Sequence, residues 1–261
     1  MSILEEICAK KREYVRQKQQ EKSLDDLKYE IADMPLPCGF LTRMMMNSEA
    51  SLIAEVKKAS PSHGVIREDF EPVKIAQIYK DAGATCLSVL TDKPYFQGQD
   101  EFLSDIKKEV NLPVLRKDFI LDPYQVYESR KIGADCILLI MAALDDDMAK
   151  RLYETALELR LDVLVEVHNL AELERAIKLD PMMIGVNNRN LGTLEVTLQT
   201  SYDLVSQIPP TTFKISESGI KTHDDIEHLS QIGYRGFLVG ESLMKEDDIG
   251  KAVNNLMRGA A

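Results

Sequence analysis

The stretch Leu161–Asn190, LDVLVEVHNLAELERAIKLDPMMIGVNNRN, holds one complete unit of this chain's architecture. It opens on DVLVEV (162–167), a near-continuous apolar run rich in valine, as expected of a parallel strand covered on both faces. LAELERAIKL (170–179) comes next and is amphipathic at helical spacing. MMIGVN (182–187) then reads as a second strand. Strict alternation of strand and helix argues for a parallel α/β fold.

The same alternation extends in both directions. SLIAEVK (51–57), CLSVL (86–90), PVLRKDF (113–119) and DCILLIM (135–141) precede the unit, and FKISES (213–218) and GFLVG (236–240) come after it. Between them lie amphipathic segments such as VKIAQIYKDAG, PYQVYESRKIGA, MAKRLYETALELR and DIEHLSQIG. Gly83-Ala84, Gly133-Ala134 and Gly233-Tyr234 each end a helix and lead into a strand, a place where glycine suits the left-handed C′ position. Eight strands in 261 residues predict a (β/α)8 TIM barrel. An open doubly wound sheet is disfavoured because neither GxGxxG nor GxxxxGK[ST] occurs.

Residues 1–48 lie outside the repeat and are expected to form a helical extension packed on a catalytic barrel of residues 49–261. Residues 3–22 read as a charged helix with Ile3, Leu4 and Ile7 on one stripe. Pro35 and Pro37 break the helical pattern beyond it, and Phe40, Leu41 and Met44 to Met46 are expected to pack on the barrel. A tether and a lid are equally compatible with this segment.

Side chains alternate in facing along a strand, and the active site of such barrels sits at the C-terminal strand ends. Ile53, Glu55 and Lys57 share one face; so do Leu115 and Lys117, Leu164 and Glu166, Gly185 and Asn187, and Ile215 and Glu217. The lower member is apolar or glycine and the later one polar, so Glu55, Lys57, Lys117, Glu166, Asn187 and Glu217 are predicted to converge at the barrel mouth. Their matching parity argues against charges merely ending in solvent. A lysine flanked by carboxylates stays protonated and can polarise a carbonyl oxygen, while a partly buried carboxylate can take a proton.

Phosphate in this fold is commonly held after the seventh and eighth strands. Glu217-Ser218-Gly219-Ile220 and Val239-Gly240-Glu241-Ser242 stand there, and Ser60-Pro61-Ser62-His63-Gly64 is a third contributor. Glycines let a backbone approach an anion closely.

Formal net charge is -11, from 32 basic and 43 acidic groups. Such a surface disfavours nucleic acid and anionic lipid, so an anionic substrate requires a local cluster of donors. Cys8, Cys38, Cys86 and Cys136 are scattered, a pattern suited to a reducing compartment. The opening MSILEEICAKKREY is broken by charges too early for a signal peptide, and no apolar run approaches the ~20 residues that span a bilayer. A soluble cytoplasmic protein is expected. His63, His168, His223 and His228 show no metal-ligand spacing, and GxSxG is absent. Neither metal nor cofactor is expected.

IAEVKKASPSHG (53–64) resembles the strand-one signature E-x-K-x-x-S-P-S of the indole-3-glycerol phosphate synthase family. SVLTDKPYFQG (88–98), LRKDFILDPYQV (115–126), LVEVHN (164–169), IGVNNRNL (184–191), ISESGI (215–220) and LVGESLM (238–244) resemble its later segments in the same order. The likeness spans about residues 35–250.

It implies a carboxy-lyase of tryptophan biosynthesis that closes, decarboxylates and dehydrates 1-(2-carboxyphenylamino)-1-deoxyribulose 5-phosphate. By that resemblance Lys117 is the main general acid and Lys57 meets the substrate carboxylate or acts in dehydration. Glu166 is the acid–base partner in dehydration, and Glu55, Asn187 and Glu217 orient the lysines and sugar hydroxyls. Arg189 serves the carboxylate or braces the glutamates. Ser60, Ser218, Gly219 and Gly240 hold phosphate, and Phe96, Phe119 and Leu138 form the aromatic slot.

Two positions depart from the pattern. Glu241 replaces a small residue, so only its backbone N–H is expected to serve phosphate, with the side chain turned to solvent or to Lys245. His63 replaces a permanent cation. Phosphoribosylanthranilate isomerase, another barrel of the pathway, would need a strand-one cysteine that is missing. A non-catalytic phospholigand-binding barrel would be expected to have lost some mouth residues. The sequence is compatible with a monomer and sets no oligomeric state.

Overall fold

The computed structural model describes residues 2–259. Three helices come first: α1 (Ile3–Glu21), α2 (Leu24–Ile31) and α3 (Phe40–Met45). The repeat then runs β1 (Ser51–Val56), α4 (Pro72–Asp81), β2 (Cys86–Leu90), the single turn α5 (Lys93–Phe96), α6 (Asp100–Glu109), β3 (Val114–Lys117) and α7 (Pro123–Lys131). It continues with β4 (Cys136–Ile140), α8 (Asp146–Glu158), β5 (Asp162–Val167), α9 (Leu170–Ile177), β6 (Met183–Asn187) and α10 (Gln199–Leu204). Last come β7 (Phe213–Glu217), α11 (His223–Gln231), β8 (Gly236–Val239), α12 (Glu241–Met244) and α13 (Ile249–Arg258).

Each strand pairs in parallel with its neighbours in sequence, and β8 closes against β1 through Ser51↔Gly236 to Ala54↔Val239. The expected (β/α)8 barrel is therefore present. β3 stops before Asp118 and Phe119, which the sequence placed in the strand; the Phe119 N–H donates to its neighbour's side chain, Asp118 Oδ1, at 2.7 Å. That bond takes the donor a longer ladder would use.

Inside the barrel, Ile53, Leu115, Leu164 and Ile215 form buried layers with Cys86, Cys136, Leu138 and Leu238. Four of these come from the odd strands β1, β3, β5 and β7, as expected when alternate strands fill one layer. A second cluster fills the space between strands and helices.

The extension runs from the mouth of the barrel to its base. Ile7, Cys8, Lys11 and Val15 are the buried face of α1, so the stripe lies further along than Ile3 and Leu4. Val15 and Leu27 pack on Tyr124 of α7. At the base, Phe40, Leu41 and Met44 join the interior cluster. Met45 and Met46 do not, being 55% and 77% exposed; three successive residues on a helix cannot share a face. Asp135 Oδ1 accepts the Cys38 N–H at 2.7 Å and Asp162 Oδ2 the Leu41 N–H at 3.0 Å, fixing the start of α3. Among the described residues no helix is long and apolar enough to cross a membrane.

Candidate active site

The C-terminal ends of the strands open into a cavity of about 820 Å³. Every site residue named from the sequence lines it except Ser60. Ser60 is buried in a two-residue pairing of Ala59–Ser60 with Gly64–Val65, its hydroxyl 3.3 Å from that of Ser62. The hydroxyl expected at phosphate thus lies in a local turn.

At the centre the odd strands contribute the polar layer that parity requires. Lys117 ends β3 and donates from Nζ to Glu166 Oε2 on β5 at 2.9 Å and to Glu217 Oε2 on β7 at 2.6 Å. Glu55 of β1 pairs with Lys57 at 2.5 Å. Burial disfavours the Lys117 ammonium, but Glu166, Glu217 and Glu55 outweigh it and raise its pKa above the ordinary lysine value. Glu166 is likewise opposed by burial, yet Lys117 and His168 hold its carboxyl well below the usual range. Glu217 goes the other way, its pKa pushed up to about 7 by burial and by the Glu166 charge, against the pull of Lys117. Its Oε1 has no hydrogen-bond partner among the described residues. Two carboxylates around one lysine thus differ in proton affinity, the arrangement that separates acid from base roles.

Glycines make room for this layer. A side chain at Gly185 of β6 would collide with Glu217 Oε1, and one at Gly240 would collide with the Glu55 carboxylate. Glycine at this position of β6 leaves the space that the Glu217 carboxylate fills, a requirement invisible from strand parity.

His168 lies behind Glu166. Its Nε2 is 3.3 Å from Glu166 Oε1 and its Nδ1 is 2.9 Å from Glu172 Oε2. Burial opposes its charge, but the two carboxylates push its pKa up to about 10. In the sequence it stood out only as one of four histidines without metal-ligand spacing.

One wall is apolar. Phe96 and Phe119 stand with ring centroids 6.2 Å apart and planes tilted by 40°, and Leu138 lies beside them in the lining. The loop after β6 also lines the cavity, with Leu191, Leu194 and Val196, a contribution that no periodic pattern announces; Val196 lies against Gly219, towards the other end.

The opposite end is basic. Ser218 and Gly219 both have positive φ, 65° and 81°. Glu241 begins α12, and its side chain is more occupied than expected. Oε1 is 2.7 Å from Lys245 and 3.2 Å from His63, and Oε2 is 3.1 Å from Arg189. Of the two expected orientations, the pairing with Lys245 is the one present; the carboxylate does not turn to solvent, because His63 and Arg189 join Lys245 in holding it against the cavity wall. Arg189 braces this glutamate rather than the central ones, with Nη1 also donating to the Leu194 carbonyl at 3.3 Å. Asn187 Oδ1 accepts the Arg189 N–H at 3.0 Å.

Likeness to known proteins agrees with this geometry. A solved structure described as native KDPGal superposes with a TM-score of 0.58 at 13% identity, covering 82% of this chain and 95% of that one. KGPDC from Streptococcus mutans superposes with a TM-score of 0.61 at 8% identity, covering 80% and 96%. Both show the fold alone. A protein of Zymomonas mobilis subsp. pomaceae named indole-3-glycerol phosphate synthase is 47% identical over 259 residues, covering 98% of both chains. One of the same name from Azospirillum brasilense is 46% identical over 258 residues, again covering 98% of both. The family model described as Indole-3-glycerol phosphate synthase matches residues 4–256, and the chain belongs to that family.

Proposed function

We propose that this cavity converts 1-(2-carboxyphenylamino)-1-deoxyribulose 5-phosphate to indole-3-glycerol phosphate, carbon dioxide and water, as a soluble cytoplasmic enzyme. The observation that carries the assignment of roles is the Lys117 ammonium held between two carboxylates of unlike proton affinity, in a cavity with an aromatic wall at one end and bases at the other.

The aryl ring lies against Phe96, Phe119 and Leu138. The ring carbon that bears the carboxylate attacks the ketone carbon, and Lys117 gives its proton to the ketone oxygen as negative charge develops there. Lys57, tied to Glu55, meets the substrate carboxylate, which leaves as carbon dioxide while its bonding electrons return to the ring. The new hydroxyl then departs as water. Glu217, with its pKa near neutrality, returns a proton to Lys117; Lys117 protonates the departing hydroxyl, and Glu166 takes the proton that the ring CH2 beside nitrogen loses as the indole double bond forms. Asn187 orients the sugar end. Ser218, Gly219, Gly240 and the Glu241 N–H receive phosphate, with Arg189 and Lys245 supplying positive charge. No resident cofactor enters the scheme.

Turnover of this substrate by purified protein, followed by indole fluorescence, tests the reading; the chain has no tryptophan to obscure it. Activity is expected to survive EDTA treatment. In single-turnover experiments Glu166→Gln should accumulate an intermediate after ring closure. A purified protein that leaves the substrate intact overturns the assignment, and equal slowing of both phases removes Glu166 from dehydration.

A further inference from the structure

Lys11, on the N-terminal helix α1, is 6% exposed and lies outside the catalytic cavity. Its Nζ is 2.8 Å from Asp92 Oδ1 and 2.7 Å from Asp118 Oδ1. Both carboxylates are buried, and each anchors one aromatic residue of the cavity wall. Asp92 is the N-cap of α5, accepting the Tyr95 N–H at 3.0 Å, and α5 ends at Phe96. Asp118 accepts the N–H of Phe119 at 2.7 Å. Its other oxygen accepts from Thr91 Oγ1 at 2.6 Å, and Thr91 in turn accepts from Arg116 Nε at 3.1 Å.

Two neighbouring buried carboxylates repel, and a buried charge stripped of its partner is costly. The Lys11 ammonium is the cation shared by the two. It therefore draws together the loops after β2 and β3, and with them the two rings. α1 grips the same loop a second time, since the Tyr95 hydroxyl donates to Glu6 Oε1 at 2.8 Å and Lys10 Nζ lies 4.9 Å from the centroid of the Tyr95 ring.

We infer that Lys11 is a positioning residue for recognition of the substrate's aromatic ring, bridging Asp92 and Asp118 so that Phe96 and Phe119 keep the spacing that admits it. The inference rests on the reading that those two rings hold the aryl group. It makes the extension a determinant of affinity at one end of the cavity, with no part in the phosphate end.

The test is Lys11→Met, assayed for KM and kcat with the carboxyphenylamino substrate and for inhibition by anthranilate and by inorganic phosphate. An aromatic contact is worth roughly 2- to 12-fold in a binding constant. KM and the anthranilate inhibition constant should rise together within that range, while kcat falls much less and phosphate inhibition moves by under about twofold. Normal anthranilate inhibition in folded Lys11→Met, or a parallel shift of all four constants as from general loosening, overturns the inference. If that variant fails to fold, Asp92→Asn decides: it keeps a side-chain cap for Tyr95 and leaves Lys11 paired with Asp118. It should show the same split at smaller size, and an unchanged anthranilate constant overturns the inference there as well. An unaltered protein in which anthranilate does not compete with substrate overturns the functional reading itself; normal competition that Lys11→Met leaves untouched overturns the role of Lys11 alone.

Discussion

Lys117 and Lys11 are near twins in local chemistry. Each ammonium bridges two carboxylates, at 2.9 and 2.6 Å in one case and 2.8 and 2.7 Å in the other. What separates them is spare capacity. Around Lys11, Asp118 has both oxygens filled, by Lys11 and the Phe119 N–H on one side and Thr91 on the other. Around Lys117, Glu217 keeps one oxygen without a partner and a pKa near 7, and the whole group faces the cavity. A saturated ion cluster holds a shape, whereas an unsaturated one next to a cavity can accept a ligand and move a proton. Pairing alone does not mark a catalytic centre; unfilled hydrogen-bonding capacity at a cavity does.

The largest expected effect tests the reactive member. Lys117→Met should leave thermal unfolding cooperative and lower kcat by about 10²–10⁴-fold, the usual contribution of a positioned general acid. Near-normal turnover would erase the distinction from Lys11.

Next in size is Gly185→Ala. The added methyl collides with Glu217 Oε1, so that carboxylate must shift from its place beside Lys117. A misplacement of this kind can cost up to about 100-fold in rate, read as kcat at saturating substrate. Unchanged kcat would show that the Glu217 position is not critical.

His168→Gln probes the support behind the reactive cluster through stability. The folded pKa of His168 is raised from the ordinary 6.5 to about 10 by Glu166 and Glu172 after opposing burial. A raised histidine stabilises fully below its unfolded pKa and loses that contribution as pH rises towards its folded pKa. The difference between parent and variant should be roughly 1.5–3 kcal/mol near neutrality or below, the scale of hydrogen bonds to charged groups. It should fade between about pH 6.5 and 10. Urea unfolding at several pH values measures it, and a difference that grows with pH would refute the charged state.

The smallest effect is at the phosphate end, where charges are half-exposed and screened. Glu241→Ser should change KM by less than about threefold, while Glu241→Pro, which removes the N–H, should be far more harmful. A harmless proline would place phosphate elsewhere.

The strands, their parity and the ring of polar residues at the mouth were legible in the sequence because they are local properties. An apolar run of strand length and the alternation of facing residues need only near neighbours, so Glu55, Lys117, Glu166 and Glu217 could be placed on one layer before closure was known. The glycine-ended helices were legible for the same reason, and Gly83, Gly133 and Gly233 all take positive φ.

Pairings between distant loops were not legible. Lys11, on the N-terminal extension, meets Asp118 beyond β3, Glu241 gathers His63 and Arg189 from two other loops, and Ser60 turns its hydroxyl to Ser62. Single positions in a sequence say which groups are chargeable; only the closed barrel decides which of them share a buried space, and burial is what makes the choice of partner energetically decisive.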